Sequence, residues 1–158
     1  VFTGVPSFAA VAYENLYDGI DLVTQARRDN LKYEFHVAPG ADYRQIHVDL
    51  TGIEGLRLDE SGTLHIVTPL GELTDEAPYI YQHVGNQRVQ VAGQFRLIDA
   101  QSFAFDITGT YDPAVELIID PEVTWSTYLG GTQDEQGRGI CPHPEKKRVA
   151  EIHLPREA

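Results

Sequence analysis

The stretch Leu56-Arg-Leu-Asp-Glu-Ser-Gly-Thr-Leu-His-Ile66 decides the fold class. Apolar and polar residues alternate on both sides of its Asp-Glu-Ser-Gly turn, which predicts a β-hairpin. The same period of two recurs in Leu31–Val37 and in Ile46–Leu50. Such a pattern buries one face of a strand and leaves the other in water. The sequence therefore predicts strands throughout these segments.

Apolar alternation continues through the second half of the chain. Val89, Val91, Phe95 and Leu97 are expected to share one strand face, with Gly93 as a bulge between them. Residues 7–17 are the nearest candidate for a helix, but they suit a strand equally well. Further strands are predicted over 103–107 and 117–119, and turns over 29–30, 39–40, 59–62, 85–86 and 112–113. We predict an all-β fold of antiparallel sheets packed face to face, a β-sandwich-like domain.

Length, charge and residue content restrict the classes of function. A chain of 158 residues fits one domain that can bury a sizeable core. Its formal net charge of −12 argues against nucleic acid as a partner, because phosphate binding needs clustered Lys and Arg. No apolar run approaches the roughly 20 residues of a membrane helix, so no membrane insertion is expected. The single Cys leaves the redox compartment open. Because the chain starts with Val and contains no Met, we expect a piece of a longer product.

The acidity is unevenly distributed. Residues 1–140 carry 21 acidic and 8 basic side chains, and residues 141–158 carry 3 and 4. The last segment also holds three prolines and Cys141. Prolines at 142 and 144 remove backbone donors and block regular strand pairing. We predict an irregular tail over 141–158.

Two neighbouring strands suggest one arrangement of metal ligands. If 31–37 and 46–51 form a hairpin, His36 faces His47 and Glu34 faces Asp49. Two imidazoles and two carboxylates on one sheet face are a donor set that Zn²⁺ accepts. The alternative, which we favour, is a solvated polar face of ordinary cross-strand pairs.

Other motifs give little support to catalysis. The acidic doublets Asp75-Glu76 and Asp134-Glu135 are expected in loops, where carboxylates are commonly only solvated. Calcium would suit the acidic loop 130–137 only by analogy, because no EF-hand pattern is present. Cys141 has no visible group that would activate its thiol. None of the four serines, at 7, 61, 102 and 126, lies in a Gly-x-Ser-x-Gly setting.

The aromatic residues mostly occupy alternating strand positions, where core packing is the default explanation. Tyr79 and Tyr81 are expected to be exposed beside carboxylates, and exposed tyrosines of this kind stack on sugar rings. The sequence thus keeps glycan binding open. It predicts no catalytic, cofactor-binding or metal-binding residues.

The segment Trp125-Ser-Thr-Tyr-Leu-Gly-Gly-Thr-Gln-Asp-Glu-Gln-Gly-Arg-Gly-Ile140 resembles the opening half of an SBBP repeat, a bacterial repeat assigned to β-propellers. The upstream region resembles the uncharacterised domain that commonly precedes such repeats in large bacterial secreted or cell-surface proteins. Its matching segments include Tyr13–Val23, Leu31–Phe35, Ala77–Gln82 and Leu117–Pro121. The resemblance implies no catalytic residues and no requirement for histidine at positions 36 and 47.

Two departures from this pattern shape our expectations. The resembling domain normally begins further upstream, and Cys141-Pro-His-Pro144 stands where the repeat should continue. A frameshift, a premature end or an error in delimiting the chain would each produce this change. One partial repeat cannot build a propeller alone, because repeat folds need neighbouring repeats. We therefore expect a β-sandwich-like domain over 1–121, a partial SBBP repeat over 122–140 and the tail over 141–158.

The resemblance and the acidic β domain together predict a function. We expect a non-catalytic structural or interaction module of a bacterial extracellular or cell-surface protein. Its expected partners are the downstream repeat array and, in addition, proteins or glycans. The alternative is a carbohydrate-binding or accessory module of a secreted enzyme. A third hypothesis, stabilisation by Zn²⁺ or Ca²⁺, predicts a melting temperature that depends on the metal.

Overall fold

The chain is all-β in the computed structural model, which describes residues 10–26 and 30–125. This confirms the predicted fold class. Within those residues there is one short 3-10 turn, Tyr43–Gln45, and no longer helix. The strands are β1 (Val11–Tyr17), β2 (Ile20–Ala26), β3 (Asn30–Val37), β4 (Val48–Asp49), β5 (Gly55–Leu58), β6 (Leu64–Thr68), β7 (Gly71–Asp75), β8 (Tyr79–Val84), β9 (Gln87–Val91), β10 (Gly93–Leu97), β11 (Ser102–Ile107), β12 (Leu117–Asp120) and β13 (Glu122–Trp125).

The larger sheet is organised around one long line of backbone made by β12 and β13. Both strands pair antiparallel with β3 in a single register, from Leu117 opposite Val37 to Thr124 opposite Asn30. Pro121 separates the two strands, because proline has no N–H to donate to a ladder. On the other side, β12 pairs with β8 and β13 pairs with β7. The centre of the sheet is therefore paired on both sides.

Hairpins extend this centre outwards. Strands β5 and β6 continue the sheet beyond β7, and β9 continues it beyond β8. On the flank of β3, strand β2 pairs over seven residues and β1 follows it. The β1–β2 pairing shifts register between Tyr13 and Tyr17, where Asn15 has a φ of +50°. All pairings of the described strands are antiparallel.

A smaller sheet of β10, β11 and β4 packs against the larger one. The rings of Phe35 on β3 and Phe105 on β11 meet with centroids 5.7 Å apart. Phe95 and Phe103 extend this aromatic contact within the smaller sheet. Burying one such side chain contributes on the order of 2 kcal/mol to stability. Both sheets thus share one hydrophobic core.

The predicted hairpin around residues 59–62 is confirmed. Leu58 pairs with Leu64 and Leu56 with Ile66. The Asp59 side chain accepts hydrogen bonds from the backbone N–H groups of Ser61 and Thr63, which closes the turn. The segment 7–17, left open between helix and strand, forms β1 over its described part.

The predicted hairpin of 31–37 with 46–51 is wrong. Strand β3 pairs with β2 on one side and with β12 and β13 on the other, and β4 pairs with β11 in the smaller sheet. The two segments are neighbours in sequence, but each finds its partner elsewhere. The short turn Tyr43–Gln45 lies between them and takes the chain from the larger sheet to the smaller one.

Gly93 is not a bulge within one strand, contrary to our prediction. Val89 and Val91 belong to β9 in the larger sheet, and Phe95 and Leu97 belong to β10 in the smaller sheet. Gly93 lies at this crossing because a Cβ atom there would come within 2.4 Å of the Ile80 Cδ1 atom. The larger sheet also extends beyond residue 121, because β13 pairs with β3 and β7. The proposed domain boundary at 121 stays a prediction.

Among the described residues, no helix has the length and apolar character needed to cross a membrane. The acidic loop 130–137, the doublet Asp134-Glu135, Ser7, Ser126, Cys141 and the tail 141–158 lie outside the described residues. The predictions made for them stay predictions.

Candidate functional site

The four residues of the hypothetical zinc site do not meet. On β3, the His36 imidazole lies 3.6 Å from Glu34 and 3.4 Å from Glu116. His47, which precedes β4, donates from Nδ1 to the Gln45 carbonyl at 2.9 Å. Residues 10–26 and 30–125 contain no group of three or more side chains arranged to hold a metal ion. The proposed ligand set fails because its two halves belong to different sheets.

The strongest chemical feature is the Asp75 junction, which we define as Asp75, the Tyr33 hydroxyl and the backbone N–H of Glu122. Tyr33 donates a 2.7 Å hydrogen bond to Asp75 Oδ2, and the Glu122 N–H donates a 3.1 Å bond to Oδ1. The Asp75 side chain has no exposed surface. The expectation that Asp75 lies in a solvated loop is therefore wrong, whereas Glu76 is exposed.

The strand pairing explains why a carboxylate is buried here. Asp75 of β7 pairs with Val123, and Tyr79 of β8 pairs with Asp120. Three residues lie between Asp75 and Tyr79, but only two lie between Asp120 and Val123. The extra residue interrupts the ladder in the manner of a β-bulge. An interrupted ladder leaves backbone groups that need other partners when they are buried. The Asp75 carboxylate supplies an acceptor for the Glu122 N–H at this point.

Burial changes the ionisation of both side chains in the junction. Loss of solvent raises the pKa of Asp75 to about 7, and the hydrogen bonds from Tyr33 and Glu122 offset only part of this effect. The pKa of Tyr33 is raised well above its ordinary value by burial and by the nearby Asp75. Tyr33 is therefore a neutral phenol that donates a hydrogen bond to the carboxyl group. A buried carboxyl with a raised pKa is typical of functional sites and also of structural networks.

A second cluster occupies β5, β6 and β7. The His65 imidazole lies between two carboxylates, with Nδ1 at 2.6 Å from Glu72 and Nε2 at 3.0 Å from Asp59. The imidazole donates these hydrogen bonds, and the bond to Asp59 first and then the bond to Glu72 raise the pKa of His65. Arg57 donates to both oxygens of Glu72 at 2.9 Å. Ser61 bonds to Asp59 and not to His65, so this cluster is not a Ser-His-Asp triad.

The outer face of β8 gives a mixed result for the predicted glycan-stacking residues. Tyr79 is 39% exposed, but Tyr81 is only 3% exposed. The two rings are 5.3 Å apart, and the Arg88 guanidinium covers Tyr81 at 4.8 Å from its centroid. The prediction that Tyr81 is exposed is wrong, because neighbouring side chains on the sheet surface cover its ring.

A cleft of about 240 Å³ lies where the β1–β2 turn meets β3. Its lining includes the carboxylates Glu14, Asp21 and Glu116 and the imidazole of His36. The Asn15 N–H donates to Asp21 at 2.7 Å and so holds the shifted part of β1 against β2. Acidic groups dominate the cleft, which is unfavourable for an anionic ligand.

Comparison with known proteins adds a family to this geometry. Residues 1–122 match a family described as a domain of unknown function, DUF7948. The chain belongs to this family. No curated protein and no solved structure matches the chain. The match covers strands β1 to β12 and ends at Glu122, the first residue of β13.

Within the DUF7948 domain, one signal could have located Asp75. Leu73 and Asp75 are two residues apart on β7, and such residues point to the same face of a strand. Because Leu73 is apolar, the alternation places Asp75 on the core side. The adjacent Glu76 obscures this signal, because it has the opposite parity and is exposed. The Tyr33 partner, 42 positions away in the chain, carries no local signal.

Proposed function

We propose that the DUF7948 domain is a non-catalytic structural or interaction module, which carries a downstream repeat array in a bacterial extracellular or cell-surface protein. The position of β13 is the observation that supports this most strongly. The family match ends at its first residue, and its last residue, Trp125, begins the segment that resembles an SBBP repeat. This strand is hydrogen-bonded to β3 on one side and to β7 on the other.

Pairing on both sides suits an anchoring role. A strand at a sheet edge is lost by breaking one ladder, whereas removing β13 would break two and expose Val123, which is 3% exposed. A segment that continues from β13 would be held by the interior of the sheet. We infer that the domain fixes the start of the following repeats.

The chemistry of the polar clusters also favours a role without catalysis. Both nitrogens of His65 contact carboxylates, so neither is available as a general base. Asp75 has a raised pKa, but its side chain is fully buried and the Tyr33 ring and β13 surround it. A catalytic carboxyl must come within hydrogen-bond distance of a substrate.

One test compares the repeat array with and without this domain. A longer gene product that contains the following repeats should melt at a higher temperature when residues 1–125 are present. Equal melting temperatures would contradict the anchoring role. The coding DNA on either side gives a second test, in which we expect a repeat continuation after residue 140 and a secretion signal upstream.

An activity screen addresses the absence of catalysis. We expect no hydrolysis of polysaccharide, peptide or ester substrates by the purified chain. Hydrolysis that is lost on Asp75→Asn, Glu76→Gln, Asp134→Asn or Glu135→Gln would overturn the proposal.

A carbohydrate-binding role is the second candidate, and the exposed ring of Tyr79 favours it. Exposed aromatic rings provide an apolar face on which sugars stack. If this role is correct, a glycan array should show binding that Tyr79→Ala abolishes. Tyr81→Ala is not an equivalent probe, because it removes a buried ring and changes the packing. A blank array would count against this candidate.

A further inference from the structure

A single buried carboxyl group, that of Asp75 on β7, binds the first residue of β13. Asp75 accepts the Glu122 N–H of β13 through Oδ1 and the Tyr33 hydroxyl of β3 through Oδ2. Asp75 is also the backbone partner of Val123. One side chain of β7 therefore connects three strands at the break in the central line of backbone.

The surroundings of Asp75 disfavour negative charge. The Glu122 and Glu76 carboxylates both raise its pKa through repulsion, in addition to the larger effect of burial. On β3, Tyr33 contributes a neutral hydroxyl. On β6, the residue opposite Asp75 is Leu64, which is apolar and fully buried. The carboxyl receives two hydrogen bonds but is most stable there in its neutral form.

We propose that the Asp75 junction is a proton-operated latch, which holds β13 in the sheet when Asp75 is neutral and loosens β13 when Asp75 ionises. The neutral carboxyl keeps an acceptor for the Glu122 N–H and fits beside Tyr33 without an uncompensated charge. The ionised carboxyl must remain buried beside two other carboxylates, or become solvated by separating β13 from β7. This property does not depend on the proposed structural role, because it concerns only the pairing of β13.

The direction of the effect follows from proton linkage. The pKa of Asp75 is about 7 in the folded chain and close to its ordinary value of 3.8 once the side chain is solvated. Between these two pH values, Asp75 releases its proton when β13 separates from β7 and retains it when β13 is paired. Each unit of pH in this range therefore favours separation of β13 about tenfold. Above pH 7 both states are ionised and the effect levels off.

Hydrogen exchange of the full chain tests the proposal. Protection factors for the backbone amides of 122–125 would be measured from pH 4.5 to pH 8.5, each corrected for the pH dependence of intrinsic exchange. We expect protection to fall by up to about tenfold per pH unit up to pH 7, and then to stay constant. The β10–β11 hairpin of the smaller sheet, residues 93–107, serves as an internal reference with a smaller change in this range.

Two variants distinguish the latch from a general effect of pH. Asp75→Asn keeps the shape of the side chain: its oxygen can accept from Glu122 and its NH₂ can donate to Tyr33. We expect this variant to lose the pH dependence at 122–125. The matched control Asp106→Asn, which changes a carboxylate paired with Arg96 in the smaller sheet, should retain it. Retention of the slope in Asp75→Asn, or no slope in the unmodified chain, would overturn the proposal.

A direct titration keeps the proposal testable if Asp75→Asn does not fold. The ¹³C chemical shift of the Asp75 carboxyl carbon can be followed in the unmodified chain. A midpoint near pH 7 supports the latch, and a midpoint near pH 4 overturns it.

Discussion

At the scale of single residues, Gly93 lets the two sheets approach each other closely, because it has no Cβ atom. A Cβ atom there would lie 2.4 Å from Ile80 Cδ1 and 3.0 Å from the Asp106 carbonyl oxygen. We expect Gly93→Ala to lower the free energy of unfolding by about 1–3 kcal/mol, because an added methyl group in a packed region forces neighbours to move. Urea unfolding measures this. Gly55→Ala is the control, since no atom lies within 4 Å of its Cβ position, and it should change stability by less than about 0.5 kcal/mol.

Gln82 holds the loop before β12 by its side-chain amide. Its Nε2 donates to the carbonyls of Asp112 and Val115 at 2.8 and 2.9 Å, and its Oε1 accepts the Asp112 N–H at 2.8 Å. We expect Gln82→Leu to cost about 1–2 kcal/mol, because it removes the partners of part-buried backbone groups.

The measurement for Gln82→Leu is again urea unfolding, together with hydrogen exchange over 112–116. The exposed Gln90 on β9 provides the matched control Gln90→Leu, for which we expect a change within about 0.5 kcal/mol. Equal losses in the two variants would show that the amide contacts of Gln82 contribute no special stability.

The residue scale also shows what the sequence could and could not predict about the site. The alternation Leu73, Asp75 contains the information that Asp75 points inward. Its partners Tyr33 and Glu122 depend on strands that are distant in the chain, so no local pattern reveals them. The exposure of Tyr81 was predicted wrongly for a related reason. Strand parity correctly excludes its ring from the core between the sheets, but Arg88 from the next strand covers it.

At the scale of elements, the three strands β5, β6 and β7 contain His65, whose contribution to stability depends on pH. The pKa of His65 is raised by hydrogen bonds to Asp59 and Glu72. A raised histidine pKa contributes stability that is fully present below about pH 6.5 and is lost as the pH rises through the folded value. We therefore expect His65→Gln to lower the urea midpoint more at pH 6 than at pH 9.

His83→Gln is the control for His65→Gln. The His83 side chain is exposed on β8 and contacts the ring of Tyr81. We expect His83→Gln to lower the midpoint less than His65→Gln does at pH 6, because His83 is exposed and its ring contacts only Tyr81 among the described aromatic residues. A His65→Gln variant with equal losses at pH 6 and pH 9 would contradict the assigned role of the two carboxylates.

The elements that sequence predicted well are those fixed by local chemistry. The β5–β6 hairpin follows from a turn in which Asp59 binds its own neighbours. Strand β11 follows from the alternating apolar residues Phe103, Phe105 and Ile107, and β12 from the apolar run 117–119. The predicted partner of β3 is wrong. A strand in the centre of a sheet has two partners, and core packing decides which strands they are. Sequence proximity favoured residues 46–51, whereas β2 pairs with β3 over seven residues, and β12 and β13 together pair with it in one register from Val37 to Asn30.

At the scale of the whole molecule, the net charge of −12 argues against nucleic acid as a partner. The structure places part of that charge in specific networks. Lys32 contacts Glu34 at 2.9 Å and Asp120 at 3.0 Å across β3 and β12. Such partly exposed pairs contribute little individually, commonly below about 1 kcal/mol. The buried Asp75 and the bridged His65 are therefore expected to dominate the response to pH from pH 4 upwards.

The combined titrations predict a stability optimum in mild acid. Hydrogen bonds from Ser61 and His65 hold the pKa of Asp59 well below its usual range, and those from His65 and Arg57 lower that of Glu72, so their stabilisation is lost as the pH falls below about 4. Asp75 acts in the opposite direction between about pH 4 and pH 7, and His65 does so above pH 6.5.

We expect the free energy of unfolding in urea to be greater at pH 5 than at pH 3 or pH 8. Asp75→Asn should remove most of the decline between pH 5 and pH 7. Stability that increases steadily from pH 5 to pH 8 would contradict this balance, because it would require the folded chain to bind fewer protons than the unfolded chain in that range.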